Sequence, residues 1–323
     1  MYNRNLKQLS ELAGRMLKNF RHTFRTVSGF TRNNSSDVAA SQNGLIYCSN
    51  VVKQHDYENF LATLLMTKAI RTPALVVRAF NVEVARVQDQ TSDPQTAAFR
   101  VQFWLDILND IYKKEQNISK IPANPVAKEL FKICKCYNLP KRHLEKLVLS
   151  RSSLLKSRYF RTLEDIEKYA DDTVSSIYYL LLTVAGVADI HADHAASHLG
   201  KSQGLTNILR SVHVSNHHKM VALPMDILMK NKVSQEEVLR EKDSEGMRNV
   251  VFEVASRAYS HLEKARKIQT PKITNQIFLP ATAVDYYLNK LQKNNFNIFD
   301  KSLHHGNATL PFKLYYKRLV NKY

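Results

Sequence analysis

The sequence predicts a single all-α domain, and three observations lead to that fold class. From about Gln54 onward, apolar residues recur with the 3.6-residue period of an α-helix. Glycine is scarce, at 8 of 323 residues, so the chain has few of the glycines that the tight hairpins of a β-sandwich or β-barrel need. Hydrophobic residues make up 44% of the chain, which is ordinary for a globular protein with a sizeable core.

Residues 1–45 differ from the rest in composition. They carry seven basic and two acidic residues. Their apolar residues fall at near-helical spacing: Leu6, Leu9, Leu12, Met16 and Leu17. An Arg-rich, acid-poor amphipathic leader is typical of mitochondrial transit peptides. We therefore expect a transit peptide over 1–45, with a disordered basic tail as the alternative, and a folded domain over 46–323.

The first helices of the domain are predicted from apolar spacing. Three groups of residues fit one helix face each: Phe60, Leu61, Leu64 and Leu65; Leu75, Val76, Ala79 and Phe80; Phe99, Phe103, Ile107 and Ile111, with Trp104 beside this last stripe. Pro122 and Pro125 mark a loop, and Pro140 marks a second break.

The later helices are predicted from caps as well as from spacing. Capping boxes at Thr162–Asp165 and Ser234–Glu237 each begin a helix. The apolar stretch 177–190 predicts a buried core helix, because it falls short of the ~18–20 residues that a membrane span needs. The clearest amphipathic helix runs over 247–265, and Pro271 stops it.

Missing motifs exclude several functions. The chain has no G-x-G-x-x-G, no Walker A sequence and no G-x-S-x-G, so the usual Gly-rich phosphate loops and a serine hydrolase are unsupported. Cys48, Cys134 and Cys136 lack the C-x-x-C spacing and a second pair, which excludes a zinc-cysteine cluster. We expect free buried thiols.

A histidine-rich segment offers one further candidate metal site. His194 and His198 lie one helical turn apart, a spacing at which two histidines can share zinc. The glutamate of H-E-x-x-H is absent and Asp193 points off the shared face, so we interpret the segment as a polar helix entry. Gly200 and Gly204, at i and i+4, predict the close approach of another helix.

Two segments resemble the squalene/phytoene synthase family. They are RTPALVVRAFNVEVARVQD at Arg71–Asp89 and HADHAASHLGKSQGLTNILRSVHVSNHHKMVALP at His191–Pro224. The strings AFNVE, HADHAASHLGKSQG and LPMDI resemble one branch, the mitochondrial complex I assembly factor 6 proteins. The resemblance covers roughly Cys48 to Tyr323. It implies a single-domain helical bundle of the isoprenoid (squalene/phytoene) synthase type.

The family's enzymes join two prenyl diphosphates and use Mg²⁺ to neutralise the leaving pyrophosphate. The resemblance implies two aspartates at i and i+4 on each of two helices as the Mg²⁺ ligands. This chain has Ala85 and Asp89 at the first pair of positions, and Ser211 and Ser215 at the second. Three of the four carboxylates are missing, so we interpret the chain as a pseudoenzyme without a metal or other cofactor.

A residual pocket is compatible with that loss. Arg78, Gln203, Asn207 and Arg210 are candidates to line the former cavity and to bind a phosphate-bearing or isoprenoid ligand without converting it. The alternative is that these four residues serve in helix packing and capping.

Two rival functions remain open at this point. An active prenyl-diphosphate transferase with a rearranged magnesium site would combine Asp89 with other acids, for example Glu83, Asp171 or Asp172. An RNA-binding module would use the net charge of +13 that remains outside residues 1–45, although the chain has no recognised nucleic-acid motif and its basic residues are dispersed.

The resemblance implies a complex I assembly factor, with complex I subunits or assembly intermediates as partners. Dispersed positive charge suits the anionic inner membrane better than nucleic acid, so we expect no nucleic-acid partner. The basic, aromatic stretch 313–319 is a candidate for membrane or partner contact, with a final core helix as the alternative. We expect a peripheral protein on the matrix side of the mitochondrial inner membrane.

Overall fold

The computed structural model describes residues 35–323 except 88, 92, 114–116, 218–219 and 305. These residues form fifteen α-helices and no strand, which confirms the all-α prediction. The helices are α1 Ser35–His55, α2 Tyr57–Leu64, α3 Lys68–Ala85, α4 Pro94–Ile111, α5 Pro125–Tyr137, α6 Lys141–Ser157, α7 Leu163–Ala170, α8 Ser176–Val184, α9 Ile190–His217, α10 Met225–Lys230, α11 Gln235–Leu239, α12 Glu245–Lys267, α13 Thr274–Ile277, α14 Ala281–Lys293 and α15 Leu310–Leu319. A π-helical turn, Asp171–Ser175, joins α7 to α8.

Local sequence signals set many helix boundaries. Both predicted capping boxes are present, at the start of α7 and of α11. Asp93 and Asn124 cap α4 and α5, each followed by a proline whose fixed φ suits the first helical position. Asn138 ends α5 in the left-handed conformation, with a φ of 48°. The predicted helix over 247–265 forms as α12.

Three details differ from the predictions. The stretch 177–190 is not one buried helix, because α8 ends at Val184 and Gly186 turns the chain at a φ of +67°, leaving Ile190 79% exposed. On α4 the buried face is rotated towards Trp104, which leaves Phe99 75% exposed. Cys136 is exposed rather than buried.

Residues 1–34 of the expected leader lie outside the described residues, so the transit peptide stays a prediction. Helix α1 begins at Ser35 and continues across the predicted domain boundary between residues 45 and 46. None of the helices in the described part of the chain is long and apolar enough to cross a bilayer.

Helix α9 packs against several other helices of the bundle. It packs against α12 on one side and against α7, the π-helical turn and α14 on others, while α1 packs against α3 and α5. Buried aliphatic and aromatic side chains fill the spaces between these layers. Helices α3 and α9, on or just after which the resemblance places the motif positions, both contribute to the wall of a central cavity.

The contact of α9 with the end of α7 and the π-helical turn depends on two glycines. A Cβ on Gly200 would lie 2.5 Å from the backbone nitrogen of Ser175, and a Cβ on Gly204 would lie 2.8 Å from the Cα of Ala170. The predicted close approach at these two positions is therefore confirmed. It brings Thr173 and Val174 of the turn to the cavity wall.

Candidate functional site

The central cavity has a volume of about 420 Å³ and opens to the surface. Helices α2, α3, α6, α7, α8 and α9 contribute to its wall, together with the π-helical turn and the end of α1. The polar side chains on its wall are His55, Asp56, Asn59, Arg78, Asn81, Arg86, Asp89, Arg151, Tyr169, Thr173, Tyr178, Gln203, Asn207 and Ser211. This is the place at which the resemblance puts the prenyl diphosphates.

The structure brings three of the four motif positions to this cavity. Ala85, Asp89 and Ser211 line it, while Ser215 is buried away from the cavity lining. Asp89 lies in an exposed position after the end of α3. The Oγ of Ser211 donates to the carbonyl oxygen of Ile208 at 2.9 Å, so it is engaged with its own helix.

Three of the four residual-pocket residues also line the cavity. Gln203 is buried; it accepts a hydrogen bond from the Tyr178 hydroxyl at 2.5 Å and donates to Asn59 at 3.2 Å. Asn207 is on the cavity wall and exposed. Arg210 is not part of the lining, because both of its terminal nitrogens donate to Glu58, at 2.5 and 3.0 Å.

Arg78 is the fourth of these residues and is only 2% exposed. Its Nη1 lies 3.8 Å from Oδ2 of Asp56. Its Nε and Nη2 are buried and have no hydrogen-bond partner among the described residues. These two nitrogens form one edge of the guanidinium, and their parallel N–H bonds match two oxygens of a carboxylate or phosphate.

Arg151 on α6 is a cavity residue that the sequence analysis missed. It donates to the carbonyl oxygen of Leu147 at 2.7 Å and to Oδ1 of Asn81 at 2.6 Å, both neutral acceptors. Burial lowers the pKa of this guanidinium. No spacing pattern distinguishes Arg151 from the other basic residues of α6, whereas Arg78 stands out as a single charge in an apolar run.

Two carboxylates line the cavity, Asp56 and Asp89. Burial raises the pKa of Asp56, an effect that Arg78 and a 2.7 Å hydrogen bond from Asn59 oppose. Burial and the nearby charge of Arg86 lower the pKa of His55, which precedes Asp56 in the chain and also lines the cavity. With three arginines against these two acids, the wall favours anions over cations.

The acids of the rival enzyme hypothesis have partners elsewhere. Glu83 accepts from the Tyr47 hydroxyl at 3.2 Å, Asp171 accepts from Ser197 at 2.9 Å, and Asp172 pairs with a lysine of α6 at 2.8 Å. None of the three lines the cavity that Asp89 borders. Across the described residues, no group of three or more His, Cys, Asp or Glu side chains is arranged to hold a metal ion.

The histidine-rich segment packs against α12. The rings of His194 and His198 are 4.7 Å apart, and Nδ1 of His198 lies 2.8 Å from Nδ1 of His261. Nε2 of His261 is in turn 3.1 Å from Oε1 of Glu167 on α7. The segment therefore ties three helices together through a chain of polar contacts.

A second, more open groove of about 550 Å³ lies beside the cavity, between the end of α6 and α7. Its apolar wall is formed by Leu149, Leu154 and Phe160. Tyr169 lines both the groove and the central cavity.

Comparison with known proteins agrees with this architecture. The sequence profile of the squalene/phytoene synthase family matches residues 52–311. The chain is 40% identical to a Homo sapiens protein over 271 residues, covering 83% of this chain and 80% of the relative. It is 39% identical to a Bos taurus protein over 279 residues, covering 86% and 82%. Both relatives are named NADH dehydrogenase (ubiquinone) complex I, assembly factor 6.

The solved structure of a dehydrosqualene synthase with a bound ligand superposes with a TM-score of 0.72, at 17% identity, over 87% of this chain and 96% of the synthase. At that identity the likeness supports the fold. The family profile and the two relatives together confirm the resemblance drawn from the sequence. The chain belongs to the squalene/phytoene synthase family and, within it, to the branch of the complex I assembly factor 6 proteins.

Proposed function

We propose that this protein is a non-catalytic assembly factor for mitochondrial respiratory complex I. The observation that carries the proposal is the identity of 39–40%, over more than four fifths of the chain, with two relatives that bear that name. Its partners are then complex I subunits or assembly intermediates. The prenyl-synthase fold serves as a scaffold in this role.

The electrostatics of the cavity support the loss of catalysis. Mg²⁺ prefers carboxylate and phosphate oxygens, and the ionisation of a diphosphate needs that charge to be neutralised. Here Ala85 and Ser211 supply no carboxylate, and Asp56 is engaged by Arg78 and Asn59. Asp89 alone does not hold a diphosphate-bound metal cluster.

Incubation with farnesyl or geranylgeranyl diphosphate and Mg²⁺ tests this point. We expect no release of pyrophosphate above the rate in buffer, because the ligands that would activate the leaving group are missing. A bacterial dehydrosqualene synthase in the same assay is the positive control. Release of pyrophosphate above the rate in buffer would show that the protein is an enzyme.

The assembly role is tested in cells that lack the protein. We expect deletion to reduce fully assembled complex I on native gels, with the other respiratory complexes unchanged, and expression of the full chain to restore it. The variant Asp89→Asn is expected to restore complex I as well as the original chain, because the proposal assigns no catalysis to that carboxylate. Normal complex I abundance after deletion would refute the role.

We also propose a peripheral position on the matrix side of the inner membrane, and α15 supports it. Its inner face carries Leu310 and Leu314, both buried. Its outer face carries Phe312, Tyr316 and Leu319, which are 45%, 64% and 66% exposed. An apolar outer face beside basic residues of the same helix suits the surface of an anionic bilayer.

Vesicle binding tests this contact. We expect the double variant Phe312→Ser/Leu319→Ser to bind vesicles containing anionic phospholipid about tenfold more weakly, because each apolar side chain loses its transfer into the interface. Phe99→Ser changes an exposed phenylalanine on α4 and is the matched control. Equal binding of the double variant and the original protein would remove α15 as the contact.

A further inference from the structure

The open groove between the end of α6 and α7 has an apolar floor below its rim. Leu149, at the rim, is 51% exposed, whereas Leu154 and Phe160 are 8% and 6% exposed and form the floor. Three serines on the same face of α6 leave this floor accessible, because their side chains are small: Ser150, Ser153 and Ser157. The groove therefore offers apolar contact to a chain that enters it.

The loop that closes the end of the groove is held in place by backbone hydrogen bonds. The carbonyl oxygen of Phe160 accepts from the backbone nitrogen of Met225 at 3.1 Å, and that of Arg161 accepts from Asp226 at 3.0 Å. The ring of Phe160 also packs edge-on against Tyr169, with 5.4 Å between the centroids. A groove that is already formed needs little ordering when a partner binds.

Four cations border the groove. Arg161 and Lys168 belong to its lining, and Lys156 and Arg158 each adjoin a lining residue in the chain. All four are exposed, and none of them forms an ion pair with another described residue. Their charges are therefore available to a partner.

The acids near the groove have partners of their own. Oδ2 of Asp165 accepts from the backbone nitrogens of Arg161 and Thr162, each at 3.2 Å, as part of the capping box. Asp172 pairs with a lysine of α6 at 2.8 Å. Glu164, which is not part of the lining, lies 3.6 Å from an arginine of α12. These acids leave the four cations without a carboxylate partner.

We infer that the groove docks an acidic segment of a partner protein, with apolar side chains of the segment on Leu154 and Phe160 and its carboxylates beside Arg161 and Lys168. Charge complementarity favours such a segment over a basic one, which the same cations repel. The recessed floor favours a single protein chain over a bilayer, because a flat surface would meet Leu149 but not the floor. The inference does not depend on the assembly role.

Selection from a random peptide library displayed on phage tests the inference. We expect the selected peptides to be rich in acidic and apolar residues, and we measure the affinity of labelled synthetic copies by fluorescence anisotropy. Arg161→Glu/Lys168→Glu is expected to weaken their binding about tenfold, and added salt to weaken it as well, because exposed charges are screened. Lys120→Glu/Lys128→Glu makes the same charge change at exposed positions outside the lining, and is expected to leave binding unchanged.

The apolar contact has its own pair of variants. Leu149→Ser is expected to weaken binding about threefold, because part of the apolar contact is lost. Ile118→Ser, at a 40% exposed position outside the groove, should have no effect. All of these side chains are exposed or at the rim, and circular dichroism with the thermal unfolding midpoint verifies that each variant is folded.

Four results would overturn the inference. Two concern the peptides: the selection yields none that the Arg161/Lys168 variant binds more weakly, or the selected peptides are basic or uncharged. Self-association that sedimentation detects and the Arg161/Lys168 variant abolishes would assign the groove to a second copy of the chain. Binding to anionic vesicles that Leu149→Ser abolishes would assign it to a bilayer.

Discussion

Gly200→Ala is expected to destabilise the protein by about 3 kcal/mol or more, which is the upper end of the range for overpacked cores. The new Cβ would lie 2.5 and 2.6 Å from the backbone N and Cα of Ser175. Relief requires α9 to separate from the π-helical turn by about 1 Å, because neither backbone can rotate away as a side chain does. The gain in helix propensity, about 1 kcal/mol, offsets only part of this cost.

Urea denaturation measures the change, and two further variants make it specific. In Gly200→Ala/Ser175→Ala the contact of the new Cβ with the Oγ of Ser175 is removed while the backbone contacts remain, so we expect little recovery of stability. Gly306→Ala adds the same methyl group where nothing lies within 4 Å, and should change the free energy of unfolding by less than about 0.5 kcal/mol. A Gly200→Ala protein as stable as the original would show that the helices are not in backbone contact.

The same contact explains what the sequence could predict of this fold. The glycines at i and i+4 predicted a close helix approach, and the capping boxes predicted the starts of α7 and α11. Both could be predicted because these signals act within one turn of the chain. The rotation of α4, which exposes Phe99, could not be predicted from periodicity. Which stripe of a helix is buried depends on the neighbouring helices, and Trp104 faces Phe80 of α3 at 5.3 Å between ring centroids.

The candidate site was predictable to a similar extent. The resemblance placed Ala85, Asp89 and Ser211, and the structure brings all three to one cavity. Ser215 and Arg210 are the exceptions. Ser215 is buried away from the lining, and the long side chain of Arg210 turns to an acid on another helix, Glu58. Arg151 could not be found, since its contribution depends on how α6 packs against α3 rather than on any local motif.

His143 is a buried imidazole whose neutral form the fold requires. It is 7% exposed, and its ring lies 4.9 Å from that of Tyr179. Nε of Arg142 lies 3.3 Å from its Nε2 and donates to it, which requires that nitrogen to be unprotonated. Burial, with Arg142 and Lys146 nearby, lowers the pKa of His143 to about 4.

His198, which lies beside His261 and His194, is a second histidine whose pKa is lowered. Burial and these neighbouring histidines lower the pKa of His198 to about 4, and burial also lowers the pKa of His261. The ordinary pKa of histidine is about 6.5, so on acidification the unfolded chain takes up protons before the folded chain does. Stability from these groups is present above about pH 6.5 and is lost as the pH falls towards 4.

We therefore expect the free energy of unfolding to fall between about pH 6.5 and pH 4.5 by about 1.5 kcal/mol for each of His143 and His198, after allowance for solvent screening. Urea denaturation across this range measures the slope, and the variant His143→Gln should show a smaller slope, by up to one proton. His191→Gln, at an exposed position, is the control. If the profile of His143→Gln overlays that of the original protein, acidic side chains rather than this imidazole set the acid limit. A shallower profile instead ties acid sensitivity to the contact of α6 with α8, two helices that form part of the cavity wall.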